Sequence, residues 1–191
     1  RVYLCIEARE GLRMMGYLVS GKVMPDGQTI ELDLSTLTKN PLQQEQSNRS
    51  DEAILIAAEQ VLTFFESNGA QANPLSHATL FDLNLMQLGI LEFPSVEYRL
   101  TDASEMDSAG RFWMMNYFFP GDTDLLPSSD PIREQYGVGE THNQYPSVER
   151  LLEFQYTPQG ITLVDQAPLL LELDPQGESR NWEGLVRLAD L

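Results

Sequence analysis

Cysteine, histidine and basic side chains are all scarce in this chain of 191 residues. Cys5 is the only cysteine, so no disulfide can form within the chain. It lies in the apolar run VYLCIEA with no cation beside it to lower its pKa, which predicts a buried, inert thiol. A lone cysteine also fits a reducing compartment, and the expected location is cytoplasmic. His77 and His142 are the only histidines, and neither they nor Cys5 show H-x-x-x-H or C-x-x-C spacing. A zinc site is not expected. No apolar run approaches 18 residues, so no membrane span is expected. The opening RVYLCIEARE has no Met and no signal-like apolar core, which leaves room for a removed N-terminal signal or anchor.

Basic residues number 12 against 29 acidic ones, a net charge of −17. Such a surface repels phosphate backbones and anionic lipid headgroups, so direct nucleic-acid backbone binding is not expected. Catalytic motifs are missing as well. There is no G-x-S-x-G elbow. The letters GYLVSGK at 16–22 match a phosphate-loop pattern, but Val23 follows where Ser or Thr is needed, and the segment has strand character. The oxygen-rich GDTD at 121–124 lacks the glycine and terminal glutamate of a calcium loop. No catalytic residue, metal or cofactor is assigned.

What the chain does have is strand patterning and turn chemistry. Residues 2–8 and 12–24 read as strands, and Pro25-Asp26-Gly27 as a turn. In 28–34, Ile30, Leu32 and Leu34 alternate with Glu31 and Asp33. Residues 35–50 read as a polar connection. Strands follow at 78–86, 91–102 and 111–120, then a hairpin at 151–166 and a strand at 168–174. A turn at 174–177 and a short helix from Asn181 complete the chain. One long helix is expected at 50–68. Ser50 would cap it, Ile54, Ala58, Val61 and Phe65 keep helical spacing, and Glu52, Glu59 and Glu66 line the opposite side.

The expected fold is therefore a single α+β domain over 1–191, dominated by β-structure. An antiparallel meander of about eight strands, curved or barrel-like, would carry that one helix. The long connection from Pro120 to Pro146 would hold a short helix capped by Asp130, started by Pro131 and ended by Gly137.

This connection is the candidate site. Connections of such length are often functional. Tyr136, Glu140, His142 and Tyr145 would line a pocket mouth or anchor a partner, with Asp122 and Asp124 as a charged rim. The competing expectation is a solvated loop whose tyrosines pack back on the sheet. The absence of catalytic motifs, the acidity and the loop point to a non-catalytic interaction, assembly or adaptor module with a protein partner, one of basic character. Two alternatives stand beside it. The aromatic run Phe112, Trp113, Tyr117, Phe118 and Phe119 would suit a barrel-like binder of a small apolar ligand, with lyase or isomerase activity. The acidity would also suit an inhibitor mimicking nucleic acid.

Overall fold

The computed structural model describes residues 1–172, 178 and 180–188. It contains three antiparallel sheets. Sheet A is β1 (Val2–Glu10), β2 (Arg13–Val23) and β3 (Ile30–Lys39), in that order. Sheet B is β4 (Asp51–Ala57), β5 (Gln60–Phe65), β6 (His77–Asp82) and β7 (Gln87–Glu92). Sheet C is built on β8 (Arg99–Ala103), β9 (Arg111–Phe118) and β10 (Val148–Thr157). Both β11 (Gly160–Leu163) and β12 (Leu169–Leu170) pair with β10.

Sheet B is the middle layer. Its residues Leu55, Leu62, Phe64 and Ala78 pack with Leu100, Phe112, Met114, Leu152 and Phe154 of sheet C. Its opposite face, with Ile54, Val61 and Phe81, packs with Tyr3, Cys5 and Leu18 of sheet A. Phe112 and Phe154 stack at 5.6 Å, and Phe93 and Phe154 at 5.3 Å, filling the space between sheets B and C.

The expected long helix does not exist. Residues 51–65 form the β4–β5 hairpin, turning at Ala58 and Glu59, with Leu55 opposite Leu62 and Ile54 opposite Thr63. β5 is buried on both faces, and the partly exposed positions of β4, Ile54 and Ile56, are apolar too, so the polar half of the period-2 signal disappears. Ile54 and Val61 meet diagonally across the hairpin on the sheet A side, and that seven-residue separation imitates two helical turns. β-branched Ile54, Ile56 and Val61 suit strands. Among the described residues α1 (Pro131–Tyr136) is the only α-helix. The fold is dominated by β-structure as expected, but the long helix is absent, the described strands number twelve rather than eight, and three stacked sheets replace the expected curved or barrel-like meander.

Smaller differences have local causes. β3 continues through Ser35–Lys39 because Thr36 and Thr38 bond back to Ser20 and Leu85. The stretch 91–102 is two strands, since Phe93–Tyr98 carries the chain from sheet B to sheet C. The C-terminal segment 181–188 is irregular instead of helical. It lies on sheet C, where Thr101 donates to the Trp182 carbonyl at 2.7 Å and Asp102 accepts from the Leu185 N–H at 2.6 Å. The turn expected at 174–177 lies outside the described residues.

The connection 120–146 is tied down from below. Asp130 accepts N–H bonds from Ile132 and Arg133, capping α1, and also takes both arms of the Arg150 guanidinium at 2.9 and 3.2 Å. Arg150 is fully buried, with its Nε on Asn116 at 2.7 Å and the Tyr98 ring 5.7 Å away.

Ala58, at φ 54°, gives a test whose sign depends on the fold. Glycine relieves a left-handed position but weakens a helix interior by about 1 kcal/mol. Ala58→Gly is expected to raise stability by about 1 kcal/mol in urea melts, where a helix would have lost that amount.

Candidate functional site

The three sheets converge on a buried charged junction. Arg99 begins β8, bridged to Ser67 just beyond β5. Its Nε and Nη2 form a fork on Asp122 at 2.6 and 2.8 Å, and its Nη1 donates to Glu66 at 2.7 Å. Glu66 is held in place by its backbone, whose N–H bonds Ser50 and whose carbonyl accepts from Leu100, both at 2.8 Å. Arg49, itself buried, pairs with Asp122 at 3.5 Å and with Asp124, and its Nε donates to Gln46 at 2.6 Å. Glu7 of β1 closes the cluster by accepting from Ser50 Oγ at 2.8 Å. Two arginines thus bind two buried carboxylates with several charge-assisted hydrogen bonds, the arrangement that makes burying such charges tolerable.

Glu52 stands apart. It occupies the bulge where the β4 register shifts between Asp51 and Ala53. Its buried Oε2 has no hydrogen-bond partner. Burial, then the nearby charges of Glu66 and Glu7, push its carboxyl up to about 8. Burial raises Glu66 too, against the pull of Arg99. Arg99, bonded directly to Glu66, opposes the rise at both carboxyls. A third carboxyl, Asp51, lies between sheets A and B and is raised by burial to about 6, although Thr63 donates to it at 3.0 Å.

A carboxyl protonated near neutrality has the right pKa for acid–base chemistry. Such chemistry also needs room for a substrate. The cleft of about 430 Å³ at this junction is lined by Glu45, Gln46, Arg49, Asp122 and Asp124. Neither Glu52 nor Glu66 lines it, so the raised carboxyls do not face it. Among the described residues no group of three or more His, Cys, Asp or Glu is arranged to hold a metal ion.

The residues singled out from the sequence fall into two sets. Asp122 and Asp124 belong to the junction, where Asp122 is buried and Asp124 is exposed. The other four lie along 136–145. Tyr136 is half-buried against the core, and its hydroxyl donates to Asp165 at 2.8 Å. His142 is buried, with Nδ1 3.3 Å from Thr141 Oγ1 and no hydrogen-bond partner for Nε2. Burial holds its pKa below the usual imidazole value. Glu140 and Tyr145 are exposed. Asp122 and Asp124 turn toward Arg49 and Arg99, whereas Tyr136 turns toward Asp165.

Arg49, Glu52, Glu66 and Arg99 were not singled out. The helix assignment set Glu52 and Glu66 on a solvated back, and strand alternation set Arg99 on a polar face. The one local signal is Glu66 at the end of VLTFF, a β-prone run with apolar residues on both sides of its alternation.

A second feature is the outer face of sheet A. Tyr3, Cys5 and Leu18 turn inward, so Leu4, Ile6, Val19, Gly21, Val23, Ile30 and Leu32 share the outward side. Val19 is buried among its neighbours, while Leu4, Ile6, Val23, Ile30 and Leu32 are between 36% and 54% exposed. Antiparallel sheets with one face in water normally present polar side chains there. No described strand pairs with the far edge of β3.

No known protein family matches the chain, and no curated protein matches it. No described helix is long and apolar enough to cross a membrane.

Two variants test the junction. Arg99→Ala leaves Glu66 and Asp122 buried without their main cation, and is expected to cost about 3–5 kcal/mol in denaturant melts. Glu52→Gln tests the raised carboxyl. The folded pKa exceeds the unfolded one, so Glu52 destabilises the fold progressively as pH rises from about 4.5 to about 8. The Gln variant should match the parent below that window and exceed it by at least about 1 kcal/mol above it.

Proposed function

We propose that the protein is a non-catalytic interaction and assembly module. The observation that carries this is the open apolar face of sheet A. Contiguous apolar surface of this kind, on a sheet whose inner face is already packed, marks an interaction site. The cytoplasmic placement rests on the lone Cys5, whose thiol bonds the Asp51 carbonyl at 3.2 Å and is pushed up by burial.

The stretch 120–146 supports a second contact of different character. Asp124, Glu140 and Tyr145 are exposed there on a chain of net charge −17, which favours encounter with a basic protein. In this arrangement Tyr145 is the better anchor, because Tyr136 is engaged with Asp165 and the core. Asp122 contributes through Arg49 and Arg99 by setting the loop's position.

The alternatives draw less support. Phe64, Phe93, Phe112 and Phe154 occupy the space between sheets B and C that a small apolar ligand would need. Nucleic-acid mimicry calls for displayed rows of carboxylates, yet Glu66, Asp122, Asp130 and Glu149 are buried in ion pairs.

The test is co-purification from the source cells with mass spectrometry, comparing the parent chain with Leu4→Glu/Leu32→Glu. The expected outcome is a protein retained by the parent and reduced at least tenfold by the variant, at an unchanged melting temperature. Retention of a small molecule alone, or equal capture by both chains, would refute the module.

A further inference from the structure

We propose that the occupant of the sheet A face is a second copy of this chain, packed face to face as an isologous dimer. The inference rests on the interaction-module reading and names its partner.

Charge decides between occupants. Residues 1–39, which make up sheet A and its turns, hold five cations (Arg1, Arg9, Arg13, Lys22 and Lys39) and five carboxylates (Glu7, Glu10, Asp26, Glu31 and Asp33). Sheet A is therefore electrically neutral, and the whole −17 resides in residues 40–191. Both lysines of the protein lie in this sheet. A strongly basic partner gains its attraction from the acidic remainder of the molecule, not from a neutral sheet. A second acidic copy faces the opposite problem: it is repelled everywhere except where charge is absent. The neutral face is the surface through which two such copies can meet.

The chemistry of the face is self-complementary, as a two-fold contact requires. Its centre is aliphatic: Leu4 lies beside Val19, Val2 beside Gly21 and Leu32, and Val23 beside Ile30. Gly21 keeps that row continuous, because Leu32 and Ile30 close over it: a Cβ there would come within 2.7 Å of the Glu31 carbonyl and 3.2 Å of Leu32 Cδ2. Such an aliphatic row can pack on the same row of a facing sheet about 10 Å away. The charges at the border of the face are paired with each other. Lys39 bonds Glu10 at 2.5 Å at one end of the apolar row, while Lys22 and Glu31, in register with each other, turn to the opposite side.

Edge-to-edge pairing through β3 is the weaker geometry. Antiparallel extension of β3 along its full length would set Glu31 opposite Thr38 and Asp33 opposite Thr36 of the other copy and leave Ile30 and Leu32 uncovered. Face packing keeps those carboxylates away from the contact, because they lie on the opposite side of β3 from Ile30 and Leu32.

Sedimentation equilibrium on the full chain tests the inference. The parent should sediment at twice the chain mass. Leu4→Glu/Leu32→Glu should raise the dissociation constant at least about 100-fold. The more exposed pair Val23→Glu/Ile30→Glu should do the same, and it keeps the test valid if the first variant is destabilised. Leu88→Glu, exposed on β7 outside sheet A, should leave the dimer intact. Raising salt from about 50 mM to about 500 mM should tighten the dimer by screening the repulsion between the −17 bodies, whereas an interface built on opposite charges would weaken. A parent chain that is monomeric throughout overturns the second copy. If the face variants of that monomer still lose a different protein on co-purification, the module reading survives without the dimer. A dimer that neither double variant loosens overturns the assignment of the face.

Discussion

The centre of sheet B, at β5 and β6, is packed on both faces, and much of the molecule follows from that. With sheet C on one side and sheet A on the other, β5 is buried in both directions. Each polar group in that layer then needs a partner. Thr63 illustrates the solution, donating to Asp51 while Asn40 donates to Thr63 at 3.4 Å. Sheet A can approach this closely because position 16 is glycine. A Cβ there would lie 3.0 Å from both the Asn40 side-chain nitrogen and the Asp51 Cβ. The cost of the arrangement is visible in the raised carboxyl of Asp51, which lies too deep for water to stabilise its charge.

Charged side chains fasten the layers where aliphatic packing ends. Arg99, Glu66 and Asp122 join sheet B to sheet C and to the start of the long connection, while Arg150, Asp130 and Asn116 join that connection to the back of sheet C. Each guanidinium is forked on a carboxylate and has a further acceptor for a remaining N–H. This geometry offsets desolvation and holds a single arrangement in place. Tyr98 shows the force of the second cluster. It holds a φ of 71°, rare for an aromatic residue, with its ring 5.2 Å from Phe118 and near the Arg150 guanidinium. Packing on both sides of the ring outweighs a backbone cost of order 1 kcal/mol.

The surface divides along the same lines. Sheets B and C, with the long connection, carry the negative charge, and sheet A carries none in balance. That division gives the molecule one surface where apolar contact is unopposed and another where basic molecules are drawn in.

Local turn chemistry and half-buried alternation were enough to locate several strands. Pro25-Asp26-Gly27 follows β2, and Asp26 accepts bonds from the Gln28 and Thr29 N–H groups, as a residue of that type does in any context. Asp130, Pro131 and Gly137 likewise start and stop α1 through interactions within a few residues. The absence of paired cysteines and of metal-binding spacing was equally a property of the sequence. Residues 50–68 were misjudged because the neighbours that make them a hairpin are two other sheets, and burial on both sides erases the period on which strand recognition depends. The charged junction was invisible for a related reason: Glu66 and Arg99 are 33 positions apart, and neither has a local feature that separates a buried ion-pair member from a solvated one. The sequence by itself determined the turns, the caps and the overall charge, because those depend on contacts among near neighbours or on none. Only the tertiary structure decided which apolar face is buried and which is left open, because that depends on what stacks against it.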